Sequence, residues 1–159
     1  MKILITGATG LIGTELVALL LQNGITVHYL TTSKKKIESQ PNYHGFYWNP
    51  EQGIMDENAL MGVDSIIHLA GATISKSWTA KYKQEIIESR ILSSNVLFKV
   101  LKEYPNSVKQ IISASAIGIY PDNLTKLYVE EEPAVEDSFL GKVVVKWEES
   151  VNKFKLAPN

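Results

Sequence analysis

The 159-residue chain contains no cysteine, which excludes disulfides and thiolate chemistry and fits a reducing compartment. It has little excess charge: 16 Lys and Arg stand against 17 Asp and Glu. That balance gives no electrostatic case for nucleic acid or an anionic membrane as partner. Long hydrophobic runs are missing as well. The longest, Leu16 to Leu21, is far short of the about 20 residues that span a bilayer, and no signal peptide is visible after Met1-Lys2. A cytoplasmic location is the expectation. The three histidines show no metal-ligand spacing: His28 and His68 fall inside strands and His44 in a loop. No repeat or low-complexity tract interrupts a length that suits one domain.

What remains is an alternation of short apolar runs and helical segments. "KILI" reads as a strand ending at Thr6-Gly7, and "LIGTELVALLLQ" as a buried helix stopped by Asn23-Gly24. "ITVHYLT" is a second, β-branched strand. A polar basic connection leads to a third, "GFYWN", and the turn "PEQG". "MDENALMG" can hold a short helix, and "VDSIIHLAG" is a nearly continuous apolar fourth strand. Thr79 is the expected N-cap of a long helix running to Pro105. "VKQIISASAIGIY" is a fifth strand entering a loop, then a long acidic loop follows, and "FLGKVVVKWEESVNKF" closes the chain as a helix or irregular segment. The spacing predicts strands over 2–6, 25–30, 45–48, 64–70 and 109–114 and a helix over 80–104. The fold class is α/β, a three-layer doubly wound parallel sheet with order 3-2-1-4-5.

The first strand–loop–helix carries the spacing Thr6-Gly7-Ala8-Thr9-Gly10-Leu11-Ile12-Gly13. In a dinucleotide site the first glycine allows a sharp turn, the second lets backbone approach a pyrophosphate, and the third lets the helix pack on the strand. The helix N-terminus then offers free N–H groups to phosphate. An ordinary tight turn is the competing reading. The flanking strand and helix favour the nucleotide, which makes Gly7, Thr9, Gly10, Leu11, Ile12 and Gly13 expected cofactor contacts, with Leu69, Ala70, Gly71 and Ser113 at the ends of the fourth and fifth strands. An NAD site usually has an acid about 20 residues beyond the glycines. Here no acid occurs between Glu15 and Glu38. Thr32, Ser33 and Lys34 stand at that place, so NADP(H) is expected over NAD(H), a solvated basic loop being the alternative.

The glycine spacing resembles the extended short-chain dehydrogenase/reductase superfamily. Trp78, Thr79, Lys83, Ser89, Arg90 and Ile91, together with Phe139, Leu140, Trp147 and Glu148, narrow the likeness to an atypical branch, the NAD-dependent epimerase/dehydratase or nucleoside-diphosphate-sugar epimerase-like proteins, over essentially the whole chain. The resemblance implies a Ser that polarises a substrate oxygen and a Tyr-x-x-x-Lys pair that moves a proton. Ser115 falls at the serine place. The pair is absent: Phe139 and Val143 take its positions, and Lys142 and Lys146 are out of register. Tyr120 is the nearby phenol, with a catalytic role or a packed loop aromatic as its two readings. Glu130, Glu131 and Glu132 form a solvated acidic turn near a point where family members carry a Glu. Arg90, if buried, needs an anionic partner, and an exposed salt bridge is the other reading.

Relatives in this branch are longer, with a substrate lobe beyond the matched segment. Residues 1–159 therefore correspond to the NAD(P)-binding Rossmann domain, without the substrate-binding part. The implied function is NADP(H) binding in an atypical epimerase/reductase-like protein, with hydride exchange on a sugar-nucleotide or small carbonyl substrate if the intact protein is catalytic. The alternative is a non-catalytic dinucleotide-binding sensor or interaction protein. The fifth strand, left as an edge, invites self-association.

Overall fold

A computed structural model describes residues 1–154. The strands are β1 (Lys2–Thr6), β2 (Thr26–Thr31), β3 (Ser39–Gln40), β4 (Tyr43–Asn49), β5 (Ile54–Met55), β6 (Ser65–His68) and β7 (Gln110–Ser113). The helices are α1 (Leu11–Gln22), α2 (Ala80–Glu103) and α3 (Phe139–Val151). β4, β2, β1, β6 and β7 lie side by side and parallel. These are the five expected strands in the expected order. Two antiparallel pieces were not foreseen: β3 and β5 both pair with β4. Each is two residues long, too short to carry a period. The expected short helix after β5 is a single 3-10 turn, Glu57–Leu60, and the closing segment is a regular helix.

The two faces of the sheet bury different sets. α1 packs Val17 on Ile3, Ile5, Val27 and Tyr29. α2 lays Val96, Leu97 and Val100 on Leu4, Leu30 and Ile66 on the other face. Fully burying one such aliphatic side chain contributes about 1.5–3 kcal/mol. Thr79 caps α2 by accepting from the Tyr82 N–H (3.2 Å), and Ser138 caps α3 by accepting from the Gly141 N–H (3.2 Å). α3 docks on α2 through Tyr82, Ile86 and Val143, with Phe139 alongside. Phe139 and Val143, at the places where the resemblance implies a Tyr and a Lys, are used for helix–helix packing. Among the described residues β7 has no neighbour on its outer side. No helix of the described residues is long and apolar enough to cross a membrane.

Candidate functional site

The carboxyl ends of β1, β2, β4, β6 and β7 open into a cleft with two lobes. One, of about 530 Å³, is lined by Thr9, Thr31, Thr32, Ser33, Lys36, Trp48, Pro50, Glu51, Glu85 and Ser89 among others. The second, of about 660 Å³, is lined by Gly10, Leu11, Ile12, Gly13, Leu69, Arg90, Ser115, Val143 and Trp147 among others. Gly7, Gly71 and Ala72 line both. The glycine loop sits at this junction, between the end of β1 and the start of α1.

The three glycines have different physical reasons. Gly7 has φ +72°, a left-handed backbone that L side chains rarely adopt. A Cβ on Gly13 would lie 2.2 Å from Gly7 O, so the first turn of α1 could not close on the loop. Gly10 has an ordinary φ of −85°. A Cβ there would meet only Gly7 O, at 3.2 Å. The protein's own packing thus requires Gly7 and Gly13 far more than Gly10. Gly10 is also the N-cap of α1, with no side-chain cap and no acid in the first turn. Thr14 N–H is bonded to Gly10 O (2.9 Å), while the N–H groups of the first three helical residues have no carbonyl within the helix. That terminus, with its positive dipole end, suits a phosphate.

Thr6 ties the loop to the rest of the cleft. Its Oγ1 accepts from Leu69 N–H and Ala70 N–H, both 3.1 Å, and lies 2.6 Å from His68 Nδ1. With its acceptor capacity taken, the Thr6 hydroxyl donates to Nδ1. His68 is then neutral and protonated on Nε2, which faces the Ser93 and Ser94 hydroxyls at 3.3 Å. Those hydroxyls donate to Arg90 O. Burial pushes His68 down to about 4, in accord with a ring that has no place for a second proton. The segment after β6 is pinned to α2: Ala72 N–H donates to Ser89 Oγ (2.9 Å) and Tyr82 hydroxyl donates to Thr73 O (2.6 Å).

Arg90 is half-buried under this segment. Its Nη1 donates to Ile86 O (2.9 Å) and Ala72 O (3.3 Å), and its Cζ sits 5.0 Å from the centre of the Trp147 ring. Among the described residues no carboxylate pairs with it, and burial lowers its hold on the proton. The exposed salt bridge weighed from sequence is not what forms: Arg90 is a desolvated cation on the cleft wall. A charge so placed is costly without a counter-ion, and a phosphate in the cleft would supply one.

The expected contacts divide. Gly7, Thr9, Gly10, Leu11, Ile12, Gly13, Thr32, Ser33, Leu69, Ala70, Gly71 and Ser115 all line the cleft. Lys34 does not. The 3-10 turn Lys34–Lys36 lays Lys34 Nζ over the Tyr47 ring (5.1 Å), and Lys36 lines the lobe in its place. Tyr29 fixes that turn, donating to Lys36 O (2.7 Å) and accepting from Glu38 N–H (2.8 Å). Ser113 does not line the cleft, and its Oγ donates to Ala114 O (3.0 Å). Tyr120 stacks on Tyr128 (5.2 Å between centroids) and lines, with Asp122 and Glu136, an adjoining surface depression that shares Ile117, Gly118 and Leu140 with the second lobe. Glu132 pairs with Lys126. Sequence reading missed Lys36, Glu51, Glu85 and the Ser115–Glu148 hydrogen bond. A lysine run and a Pro-Glu turn were visible signals for the first two. Nothing local marks Glu85, and Glu148 stood out only as part of the family likeness.

Parallel strand order, a glycine loop at the topological switch point between β1 and β6, and an uncapped helix N-terminus define a Rossmann-type dinucleotide-binding fold. The family model of the NAD dependent epimerase/dehydratase family matches residues 3–141, and the chain belongs to that family. It is 34% identical to an epimerase family protein of Staphylococcus saprophyticus, over 96% of this chain and 50% of the relative. Among solved structures, the human epimerase family protein SDR39U1 (isoform 2) with NADPH covers the chain fully at 25% identity and TM-score 0.75, and 50% of that protein is matched. The UDP-glucuronic acid 4-epimerase of Bacillus cereus in complex with NAD, at 22% identity and TM-score 0.73 over 96% of this chain and 51% of that one, shares the fold. The chain spans about half the length of the curated relatives it matches.

Proposed function

We propose that residues 1–159 are an NADP(H)-binding domain of a protein that exchanges hydride with a sugar-nucleotide or small carbonyl compound. Adenosine would lie in the lobe of Thr32, Ser33, Lys36 and Trp48, the pyrophosphate on the Leu11–Gly13 N–H groups with Arg90 opposite, and the nicotinamide beside Ser115. When bound, the dinucleotide would supply hydride chemistry. This chain's residues orient it, keep water from one face through Leu140, Val143 and Val144, and meet the substrate oxygen with the Ser115 hydroxyl.

The observation that carries this reading is Gly10: it stands where the protein's own packing asks less for glycine than at Gly7 or Gly13, at the unsatisfied end of α1. The NADPH complex of the human relative supports the phosphorylated cofactor. Ser33, Thr32 and Lys36 suit a 2′-phosphate, and Glu51 and Glu85 on the same lobe suit ribose hydroxyls. The location consistent with this chemistry and with the absence of cysteine is the cytoplasm. The open edge of β7 is the proposed route of self-association, which sedimentation over a range of concentrations would read.

The test is the melting temperature of the chain with each dinucleotide. NADPH is expected to raise it more than NADH at equal concentration. Equal or reversed shifts would remove the NADP assignment, and no shift with either would remove the function.

A further inference from the structure

The Tyr-x-x-x-Lys pair is gone, yet the serine it would serve is engaged. Ser115 Oγ donates a hydrogen bond to Glu148 Oε1. The two residues are 33 positions apart and come together because α3 docks beside the end of β7. Phe139 and Val143 begin α3 and are spent on packing against Tyr82 and Ile86. Trp147 and Glu148 come one turn further along the same helix. Trp147 is buried, supports Arg90, and carries an Nε1–H with no partner among the described residues. Glu148 is half-exposed, next to solvent on one side and to Ser115 on the other.

A serine hydroxyl cannot by itself take a proton from an alcohol at neutral pH, but it can pass one along if an acceptor stands behind it. A carboxylate in hydrogen-bond contact is such an acceptor. We infer that Ser115 and Glu148 are the proton-transfer pair of this site: Ser115 touches the reacting oxygen, and Glu148 acts through Ser115 as acceptor and return donor. This rests on the reading that the Ser115 lobe is the reacting end of the cleft.

In the oxidative direction a substrate carbinol C–H bond breaks and its hydride leaves for the oxidised nicotinamide dinucleotide. The hydroxyl proton moves to Ser115 Oγ as the serine's own proton moves to the Glu148 carboxylate, and the carbinol becomes a carbonyl. Glu148 returns its proton to solvent. Reduction runs through the same atoms in reverse. The substrate class that follows is an alcohol or its carbonyl compound, with no phenol or lysine required from the chain.

The pair can be tested without cofactor or substrate, because a serine backed by a proton acceptor is nucleophilic. The probe is diisopropyl fluorophosphate on the 159-residue chain. Ser115 Oγ would form the P–O bond, the P–F bond would break, fluoride would leave, and Glu148 would take the proton. Expected are a single adduct mapped to Ser115 by mass spectrometry, no adduct in Ser115→Ala, and at least tenfold slower labelling in Glu148→Gln. Gln still accepts the hydrogen bond, so a bond that only braces α3 would leave the rate unchanged. The melting temperature of Glu148→Gln and its NADPH affinity are expected to match the parent, which separates proton transfer from folding. No labelling of the parent chain at Ser115, or equal rates in Glu148→Gln, would overturn the inference. NADPH is expected to slow labelling by occupying the same lobe. A chain that labels at Ser115 but binds no dinucleotide would keep the pair and remove the cofactor reading.

Discussion

The two ends of the cleft are built in different ways. At the glycine loop, function is written in backbone: a left-handed Gly7, a close approach at Gly13, a bare Gly10 and a helix terminus, all within eight residues. At the Ser115 end, the proposed site is built from side chains of the loop after β7, of α2 and of α3, and no two of Arg90, Ser115 and Glu148 are neighbours in sequence. At the first end Gly7 and Gly13 tolerate almost no substitution, because a left-handed backbone and a close approach leave no room for a Cβ. The second end is held by packing and by one side-chain contact: Phe139 and Val143 pack on α2, while Glu148 meets the serine.

The largest effect should come from Gly13→Ala. Its new Cβ would stand 2.2 Å from Gly7 O, against backbone that cannot move aside. Destabilisation of about 3 kcal/mol or more is expected from chemical denaturation. A stable variant would break the claim that the loop is fixed by backbone contact. At the other end, Val143→Lys tests whether the superfamily lysine can simply be restored. Val143 is 3% exposed and packs on Tyr82 and Ile86 at the wall of the second lobe, so an ammonium there loses its hydration and disturbs that packing, and a loss of about 2–4 kcal/mol is expected. Unchanged stability would mean that the ammonium reaches the cleft without disturbing the helix–helix contact.

His68 gives a pH-dependent prediction that joins the two ends. It is fully buried, with its pKa held at about 4, below the about 6.5 of an exposed imidazole. Between those values the unfolded chain binds the extra proton, so stability is complete above pH about 6.5 and falls as pH drops toward 4. A loss of about 2–3 kcal/mol at pH 4.5 relative to pH 7.5 is expected from this group. His28, also lowered by burial, adds in the same direction. His68→Gln, which cannot take the proton, should flatten the profile. A profile that stays steep in His68→Gln would mean that the Thr6–His68–Ser94 chain is not the acid-sensitive link.

The smallest effect separates two neighbours. Lys36→Ala is expected to weaken NADPH about five- to tenfold and NADH little, by removing one charge-assisted contact of about 1 kcal/mol. Lys34→Ala, whose ammonium lies over Tyr47, should change neither. The opposite pattern would restore the position read from sequence.

That difference shows where sequence reading reaches its limit. Strand order, the glycine loop and the Thr79 cap were legible because each depends on local periodicity or on a few adjacent residues. β3 and β5 were not, since two residues pairing with β4 carry no period. The lysine run was visible, but which lysine enters the lobe depends on a turn fixed by Tyr29, whose phenol fits because Gly45 has no side chain: a Cβ there would be 2.5 Å from the hydroxyl. Arg90 was flagged by residue type and by the family likeness, and its lack of an acidic partner needed the packing of α3. The roles of Glu85 and Glu148 were silent because helix register, not local pattern, brings Glu85 to the cleft and Glu148 to Ser115.

The central claim is that Gly10 is kept bare for a dinucleotide and not for the fold. Calorimetric titration of NADPH into the parent chain and into Gly10→Ala tests it most directly. Ala at an N-cap costs about 1 kcal/mol relative to glycine at most, so both proteins should be folded at 25 °C. The account predicts saturable binding of one NADPH to the parent and at least a tenfold loss in Gly10→Ala. Equal affinity in the two proteins would contradict it.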